Sequence, residues 1–108
     1  MAKFELKKSK DNQFYFSLLA NNGQSILKSE MYKTKAACLN GIESVKKNAN
    51  EPKRFEKKVA KNGKFHFSIK ARNGQIIGTS ELYDAQAGCD NGVESVMKNA
   101  PEATTVIV

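Results

Sequence analysis

The sequence of 108 residues has no tryptophan and only one histidine, two prolines and two cysteines. Cys38 and Cys89 stand 51 positions apart and form no Cys-x-x-Cys pair, which fits neither a disulfide framework nor a zinc site. The longest apolar stretches, residues 14–20 and 106–108, are far shorter than the roughly 18 residues of a membrane span. No apolar segment follows the first lysine to form a signal peptide. We therefore expect a cytoplasmic protein that does not bind membranes.

The overall composition is that of an ordinary folded domain, with 40% hydrophobic and 27% charged residues. A chain of this size buries roughly two-thirds of the surface that its unfolded form exposes, so one core can form without disulfides or metals. We expect residues 1–108 to form a single compact domain.

The main feature of the sequence is an internal repeat. When the chain is aligned with itself at an offset of 51, residues 4–49 pair with residues 55–100, and 25 of these 46 pairs are identical. We infer a tandem duplication, with repeats at 1–52 and 53–108. Two repeats are too few for a solenoid, so the copies are predicted to complete one domain around a pseudo-twofold axis. Because the duplication already supplies a symmetric partner, we expect a monomer.

Each repeat begins with three predicted strands. Every second residue is apolar in 14–20 and in 65–71, a period typical of a strand with one buried face. Shorter strands, 3–8 and 54–59, precede them across the turns Asp11-Asn12 and Asn62-Gly63. A further Asn-Gly turn in each repeat leads to a third strand, through Ile26 or Ile77. Each repeat is therefore predicted to contain a three-stranded meander.

A helix follows each meander, from residue 34 or 35 to about 48 and from residue 84 or 85 to about 99. In both helices apolar residues fall at i, i+4, i+7 and i+11, which predicts a stripe that packs on the sheet. Thr34 is expected to cap the first helix and Asp84 the second. Gly41 and Gly92 cost up to about 1 kcal/mol relative to alanine inside a helix, which indicates close packing there. After the second helix, the β-branched residues of 104–108 predict a terminal strand.

The ordered motifs resemble a known family. Phe-x-Phe-Ser, Ala-x-Asn-Gly-Gln, Ser-Glu-x-Tyr, Asn-Gly-[Ile/Val]-Glu-Ser-Val and Lys-Asn-Ala each occur twice, and together they are similar to the duplicated form of the YegP-like family of small bacterial proteins. One departure is Leu19, where the family pattern has a lysine, present here as Lys70. The resemblance implies an α+β fold of two βββα(β) repeats in one antiparallel sheet. Both helices would pack on one face, and the C-terminal strand would be exchanged onto the other repeat. The resemblance implies no activity, cofactor or catalytic residue.

Positive charge is concentrated in one part of the chain. The net charge is +7; residues 53–75 alone contribute +7, whereas residues 76–108 contribute −4. Lys70 and Arg72 are predicted to continue the outward face that begins at His66. Such a face could contact phosphates and stack bases, whereas a lysine-rich hairpin is more often a solvated sheet edge. The candidate binding surface comprises Tyr15, Lys57, Lys58, Lys61, Lys64, His66, Lys70 and Arg72.

Other residues point to structural roles. Cys38 and Cys89 lie on the apolar stripes, so we expect buried, inert thiols. His66 is expected to be an exposed strand residue, because no residue spacing in the sequence indicates partner ligands for a metal site or partner residues for a catalytic triad. Tyr32 and Tyr83 are predicted to anchor the turns that lead into the helices. The carboxylates that both repeats share fit capping or solvated positions better than acid and base catalysis.

Three functions remain open at this point. The favoured hypothesis is a small non-enzymatic interaction module. The alternatives are a nucleic-acid binder that uses the basic hairpin 53–75 and an enzyme with an unrecognised site. The expected partners are nucleic acid or an acidic protein, and no cofactor or metal is expected.

Overall fold

The computed structural model describes residues 2–108 as a seven-stranded sheet with two α-helices. The strands are β1 (Lys3–Lys8), β2 (Phe14–Leu19), β3 (Ser25–Lys28), β4 (Phe55–Val59), β5 (Phe65–Lys70), β6 (Ile76–Thr79) and β7 (Thr104–Ile107). The helices are α1 (Lys35–Asn48) and α2 (Gln86–Asn99), and each is followed by a short 3-10 turn, at Pro52–Arg54 and Ala100–Glu102. None of the helices in this range is long and apolar enough to cross a membrane.

The order of the strands reflects the duplication. It runs β4-β5-β6-β3-β2-β1-β7, so each repeat contributes a meander and the meanders join where β3 pairs antiparallel with β6 at Lys28 and Thr79. Apart from β7, the order is symmetric about this junction. The α+β architecture with a repeated βββα unit is confirmed.

The predicted antiparallel sheet is wrong at one edge. β7 pairs parallel with β1, from Lys3 opposite Thr104 to Leu6 opposite Ile107, so the sheet is mixed. After α2, β7 enters the sheet beside the first residues of β1 and runs in the same direction as β1. The residues after α1 instead enter β4, and among residues 2–108 no strand of the first repeat lies beside β4. The described chain therefore adds one strand to the first repeat and returns none to the second.

The core lies between the sheet and the helices. Alternate strand side chains point toward α1 and α2, and Phe4, Phe16 and Phe67 are fully buried. The helices contribute the predicted apolar stripes, which include Cys38 and Cys89, both buried free thiols as expected. Among residues 2–108 no helix lies on the opposite side of the sheet, which we call the helix-free face.

Gly41 and Gly92 are sites of close approach, as predicted. A β-carbon built on Gly41 would meet the phenol of Tyr32, with the ring carbon Cζ at 2.7 Å, and one on Gly92 would meet the Tyr83 hydroxyl at 2.5 Å. Each tyrosine also stacks on a core phenylalanine, at 6.3 Å for Phe16 and Tyr32. The tyrosines therefore anchor the helices through a space that only glycine leaves open.

The capping prediction is correct for α1 and wrong for α2. The Thr34 side chain accepts a hydrogen bond from the Ala37 amide at 3.0 Å. The N-cap of α2 is Ala85, the repeat equivalent of Thr34, and its side chain makes no capping bond. Asp84 lies one residue too early and instead forms an ion pair with Lys64 at 3.4 Å.

Candidate interaction surface

The helix-free face is built from the strand residues that alternate with the core. Cross-strand pairing places Lys58 opposite His66, Ser68 opposite Thr79, and Ser17 opposite Lys28. Of the eight residues of the candidate surface, strand alternation puts four on this face: Tyr15, Lys58, His66 and Lys70. Two strands, β6 and β3, lie between His66 and Tyr15, which corresponds to roughly 14 Å across the sheet.

The basic residues of this face are already paired with acids. Glu56 lies between two lysines, with Lys70 Nζ at 3.0 Å and Lys58 Nζ at 3.4 Å. The hydrogen bond from Lys70, followed by that from Lys58, lowers the pKa of the Glu56 carboxyl. In the first repeat Glu5 also lies near two lysines, but both belong to β1: Lys3 at 3.5 Å and Lys7 at 3.4 Å. Each repeat thus presents two lysines and one carboxylate.

The aromatic residues of this face are poorly placed for stacking on bases. Lys28 Nζ lies 5.0 Å from the centroid of the Tyr15 ring, so this ring already carries a cation. His66 is half-buried, and its Nδ1 makes no hydrogen bond within residues 2–108. Because no described residue bonds to Nδ1, the His66 ring lacks the orienting hydrogen bond that a general base needs.

Lys57 belongs to the helix side of the sheet. Its Nζ lies 2.6 Å from Oδ1 of Asp90 on α2, and this hydrogen bond raises the pKa of the lysine. The repeat equivalents of this pair are Leu6, a buried core residue, and Leu39, a partly buried residue that packs against the core. These two positions therefore hold apolar side chains in the first repeat and a half-exposed ion pair in the second.

The other three candidate residues also lie off the helix-free face or at its margin. Lys64 pairs with Asp84 just before α2 begins. Lys61 is exposed in the turn between β4 and β5. Arg72, expected on the outward face, instead lines a cavity of about 280 Å³ with Lys47, Asn48 and Glu51 near the end of α1. The eight residues therefore do not form one continuous basic surface.

The positive charge of residues 53–75 is balanced in part by acids from neighbouring elements. Six of its eight basic side chains lie within 4.0 Å of a carboxylate: Lys53 and Arg54 near Glu51, Lys58 and Lys70 near Glu56, Lys57 near Asp90 and Lys64 near Asp84. Four carboxylates thus face six of the eight basic groups, and a smaller positive excess remains around the hairpin of β4 and β5.

β4 forms an open sheet edge, a feature that the shared motifs of the two repeats do not reveal. β1, its equivalent in the first repeat, is covered by β7, whereas in residues 2–108 no strand pairs with the outer side of β4. Val108 N–H donates to Leu6 O at 3.0 Å, so the Leu6 backbone points toward β7. By the repeat equivalence, the N–H and C=O groups of Lys57 point toward the open edge, as do those of Val59 two residues later.

A small groove follows this open edge on the helix side. It has a volume of about 180 Å³ and is lined by Lys57, Lys58, Val59, Phe65, Gln86 and Cys89. Val59 is 64% exposed, although β-branched apolar residues in strands are usually half-buried or better. The open edge thus combines main-chain groups, an exposed apolar side chain and lysines on both faces of the sheet.

Another cavity lies away from all eight candidate residues. It has a volume of about 710 Å³ and is lined by Asn40, Glu43, Ser44, Lys46, Lys47 and Pro101.

Cys38 and Cys89 are poor candidates for chemistry, since burial raises the pKa of both thiols, that of Cys38 to about 11. A thiol with such a pKa is protonated at neutral pH and is a weak nucleophile.

Comparison with known proteins identifies the family. A family model described as a domain of unknown function, DUF1508, matches the chain twice, at residues 9–56 and 60–106. The chain belongs to this family. UPF0339 protein PA0329 of Pseudomonas aeruginosa is 57% identical over 102 residues, which cover 94% of this chain and 93% of the relative. UPF0339 protein YegP of Escherichia coli K12 is 48% identical over 101 residues, or 94% of this chain and 92% of the relative.

Solved structures of the family share this fold. The solution NMR structure of UPF0339 protein SO3888 from Shewanella oneidensis superposes with a TM-score of 0.93 at 48% identity, covering 98% of this chain and 90% of that one. The solution NMR structure of yegP from E. coli, described as a protein of unknown function, has the same TM-score at 46% identity and covers 91% of that chain. The family resemblance seen in the sequence is therefore confirmed, and the family names state no biochemical activity.

Proposed function

We propose that this protein is a non-enzymatic interaction module that binds a partner protein at the hairpin of β4 and β5. The observation that carries this proposal is the difference between the two sheet edges. β7 covers β1, whereas no strand of the described residues covers β4, which carries the remaining positive excess. The two hairpins come from the same duplicated sequence, so they share one fold. The second hairpin differs from the first in its outward-facing side chains.

The chemistry of the described residues supports binding rather than catalysis. The thiols have raised pKa values, and the histidine lacks a partner that would orient its ring. A partner protein is favoured over nucleic acid, because the Tyr15 ring is covered by Lys28 and most lysines of the hairpin are paired with carboxylates. Nucleic-acid binders of the sheet type use free aromatic rings and unpaired basic groups.

Site-specific photo-crosslinking tests the proposal. A photoreactive phenylalanine is placed at Val59 or Lys61 in the second hairpin, or at the equivalent Lys8 or Lys10 in the first. The variants are expressed in E. coli that lacks its own relative, UPF0339 protein YegP, which is 48% identical. We expect discrete protein adducts from positions 59 and 61, at least several-fold stronger than those from positions 8 and 10.

Each other outcome contradicts the proposal. Equal adducts from both hairpins would show that the open edge has no special role. Adducts that disappear on nuclease treatment would favour the nucleic-acid alternative. The absence of adducts from all four positions would leave the hairpin without a partner under conditions in which a relative of the protein operates.

A further inference from the structure

We propose that the open edge of β4 binds an extended, acidic segment of the partner protein, which adds to the sheet as a strand parallel to β4. This inference rests on the proposed interaction function and names the form of the partner. It is drawn from the pairing of β7 with β1, since that pairing shows how the same edge of the duplicated unit accepts a strand.

The repeat equivalence predicts the register of the added strand. β7 places Thr105 opposite Phe4, Val106 opposite Glu5 and Ile107 opposite Leu6. At an offset of 51 these positions correspond to Phe55, Glu56 and Lys57 in β4. The next residue of the added strand would face Lys58 and the one after it Val59. Main-chain bonds to a sheet edge supply affinity in such complexes, and alternate side chains supply specificity.

The side chains around β4 then define the chemistry of the segment. Side chains of the added strand that lie on the helix side would meet the groove formed in part by Val59 and Phe65, which favours an apolar, β-branched residue. On the helix-free face, the residue opposite Lys58 would lie next to a lysine that shares its carboxylate, Glu56, with Lys70. An aspartate or glutamate there would balance the second lysine.

The lysines also explain why this edge would be selective. Edge strands commonly carry lysine because it discourages pairing with unrelated strands. Lys57 and Lys58 stand on opposite faces of the sheet, so a neutral or basic strand gains nothing from either. Lys57 is already held by Asp90 at 2.6 Å, which leaves its backbone groups facing outward while its charge is compensated. An acidic strand is thus the occupant that binds this edge with the lowest free-energy cost.

A short peptide that copies the sequence of β7 tests the proposal directly. The probe is acetyl-Thr-Thr-Val-Ile-Glu-Val-amide, in which an added glutamate faces Lys58 and the last valine faces Val59. Binding is followed by amide hydrogen exchange and chemical shifts in the full chain labelled with ¹⁵N. We expect slowed exchange at the amides of Lys57 and Val59, which point to the open edge, and little change at Leu6, which β7 already covers.

Matched peptides separate strand addition from other binding. N-methylation of the glutamate removes the N–H that would bond to Lys57 O, as Val108 N–H bonds to Leu6 O. N-methylation of the isoleucine alters an N–H that points away from β4. We expect the first change to weaken binding about tenfold relative to the second, the effect of losing roughly one hydrogen bond. Changing the glutamate to lysine should weaken binding severalfold, and Lys58→Glu should restore it.

Each of three results with the peptides overturns the proposal. These are the absence of binding at millimolar peptide, equal affinity of the two N-methylated peptides, and shifts that map to β7 or to the middle of the helix-free face. Protection of Lys57 and Val59 that grows with protein concentration without peptide would identify a second copy as the occupant and would also overturn it. Crosslinking at positions 59 and 61 without peptide binding would refute strand addition and keep the interaction module.

Discussion

Many polar residues shared by the two repeats hold the backbone in place. Ser29 Oγ accepts a hydrogen bond from Phe16 N at 2.9 Å and donates to Glu30 O at 2.7 Å, and Ser80 makes the equivalent pair of bonds. Asn48 Nδ2 donates to Ser44 O in the last turn of α1, and the second repeat reproduces this bond as well. Retention of a polar residue in both repeats is thus not by itself evidence of a binding site.

The missing cap of α2 predicts a stabilising substitution. Ala85 has φ −130° and ψ 151°, close to the −128° and 155° of Thr34, so a threonine there fits without strain. Its hydroxyl would accept a bond from the Gly88 amide, as Thr34 does from Ala37. We expect Ala85→Thr to raise the free energy of unfolding by about 1 kcal/mol in urea titrations. Thr34→Ala is the matched control and should lower it by a similar amount; equal values for Ala85→Thr and the unaltered chain would contradict the capping argument.

The tyrosine contacts predict that glycine is required at two helix positions. Alanine would improve helix propensity by up to about 1 kcal/mol, but at Gly41 and Gly92 its β-carbon would meet a packed tyrosine ring. We expect Gly41→Ala and Gly92→Ala to destabilise the fold by roughly 1–3 kcal/mol, as overpacked cores are. Their effect is measured by thermal and urea unfolding.

Gly88 supplies the comparison within the same helix. A β-carbon there would have its nearest neighbour at an ordinary 3.4 Å, so Gly88→Ala should be neutral or stabilising. The steric explanation also requires that Tyr32→Phe, which removes the hydroxyl nearest to position 41, recovers part of the loss in Gly41→Ala. A Gly88→Ala variant as unstable as the other two would show that helix glycine matters for a different reason.

Strand β4 differs from β1 mainly in the side chains at its edge, and its stability should therefore depend on pH in its own way. Hydrogen bonds from Lys70 and Lys58 lower the pKa of Glu56 below its ordinary value of 4.5. A lowered carboxyl pKa adds stability that is present above pH 4.5 and is lost as the pH falls through the lower folded-state value. Glu56→Gln should therefore be less stable than the unaltered chain at pH 6 to 7, and the gap should close toward pH 3.

Urea unfolding between pH 3 and 7 measures this gap. Glu43→Gln serves as the control, because Glu43 is exposed and its nearest cation, Lys46, lies at 4.0 Å. For Glu43→Gln, the free energy of unfolding plotted against pH should run parallel to that of the unaltered chain. A Glu56→Gln curve that is also parallel would mean that the two lysines contribute nothing to folding at this strand.

The sequence predicted the individual helices and strands well, but it predicted less well how they pair and which side chains they bring together. The repeat register and the period of the apolar residues placed both helices to within two residues, because these signals are local. The parallel pairing of β7 and the position of Arg72 depend on how the chain returns across the sheet, which no local pattern encodes. The partners of Lys57 and Lys64 come from α2 and from the loop before it.

The ion pair of Lys57 did leave a signal in the sequence. Two leucines of the first repeat, Leu6 and Leu39, are replaced at the same offset by residues of opposite charge, Lys57 and Asp90. Paired changes of this kind between repeats indicate spatial contact and a change of environment. Here the change of environment is the loss of a covering strand, so the open edge of β4 was encoded in the differences between the repeats and not in their shared motifs.

For the molecule as a whole, the asymmetry of the two edges rests on the last residues of the chain. β7 covers β1 and leaves Leu6 and Phe4 almost fully buried, at 2% and 0% exposure, although its own side chains are exposed. The chain thus protects its apolar edge with a strand and its other edge with lysines. The covering strand suits the apolar side chains of β1, and the lysines suit the uncovered edge of β4.

Removal of β7 tests this division. A chain that ends at Ala103 would expose the β1 backbone and the apolar side chains of Phe4 and Leu6. We expect its free energy of unfolding to fall by roughly 1–3 kcal/mol and the chain to self-associate, since an uncovered apolar edge pairs with other copies. Urea titration and analytical ultracentrifugation measure the two effects.

Adding Leu6→Lys and Leu39→Asp to the shortened chain copies the chemistry of β4 onto β1 and should restore the monomer without restoring the lost stability. If the shortened chain is monomeric without these changes, then the lysines of β4 are not needed to keep an open edge apart from other copies.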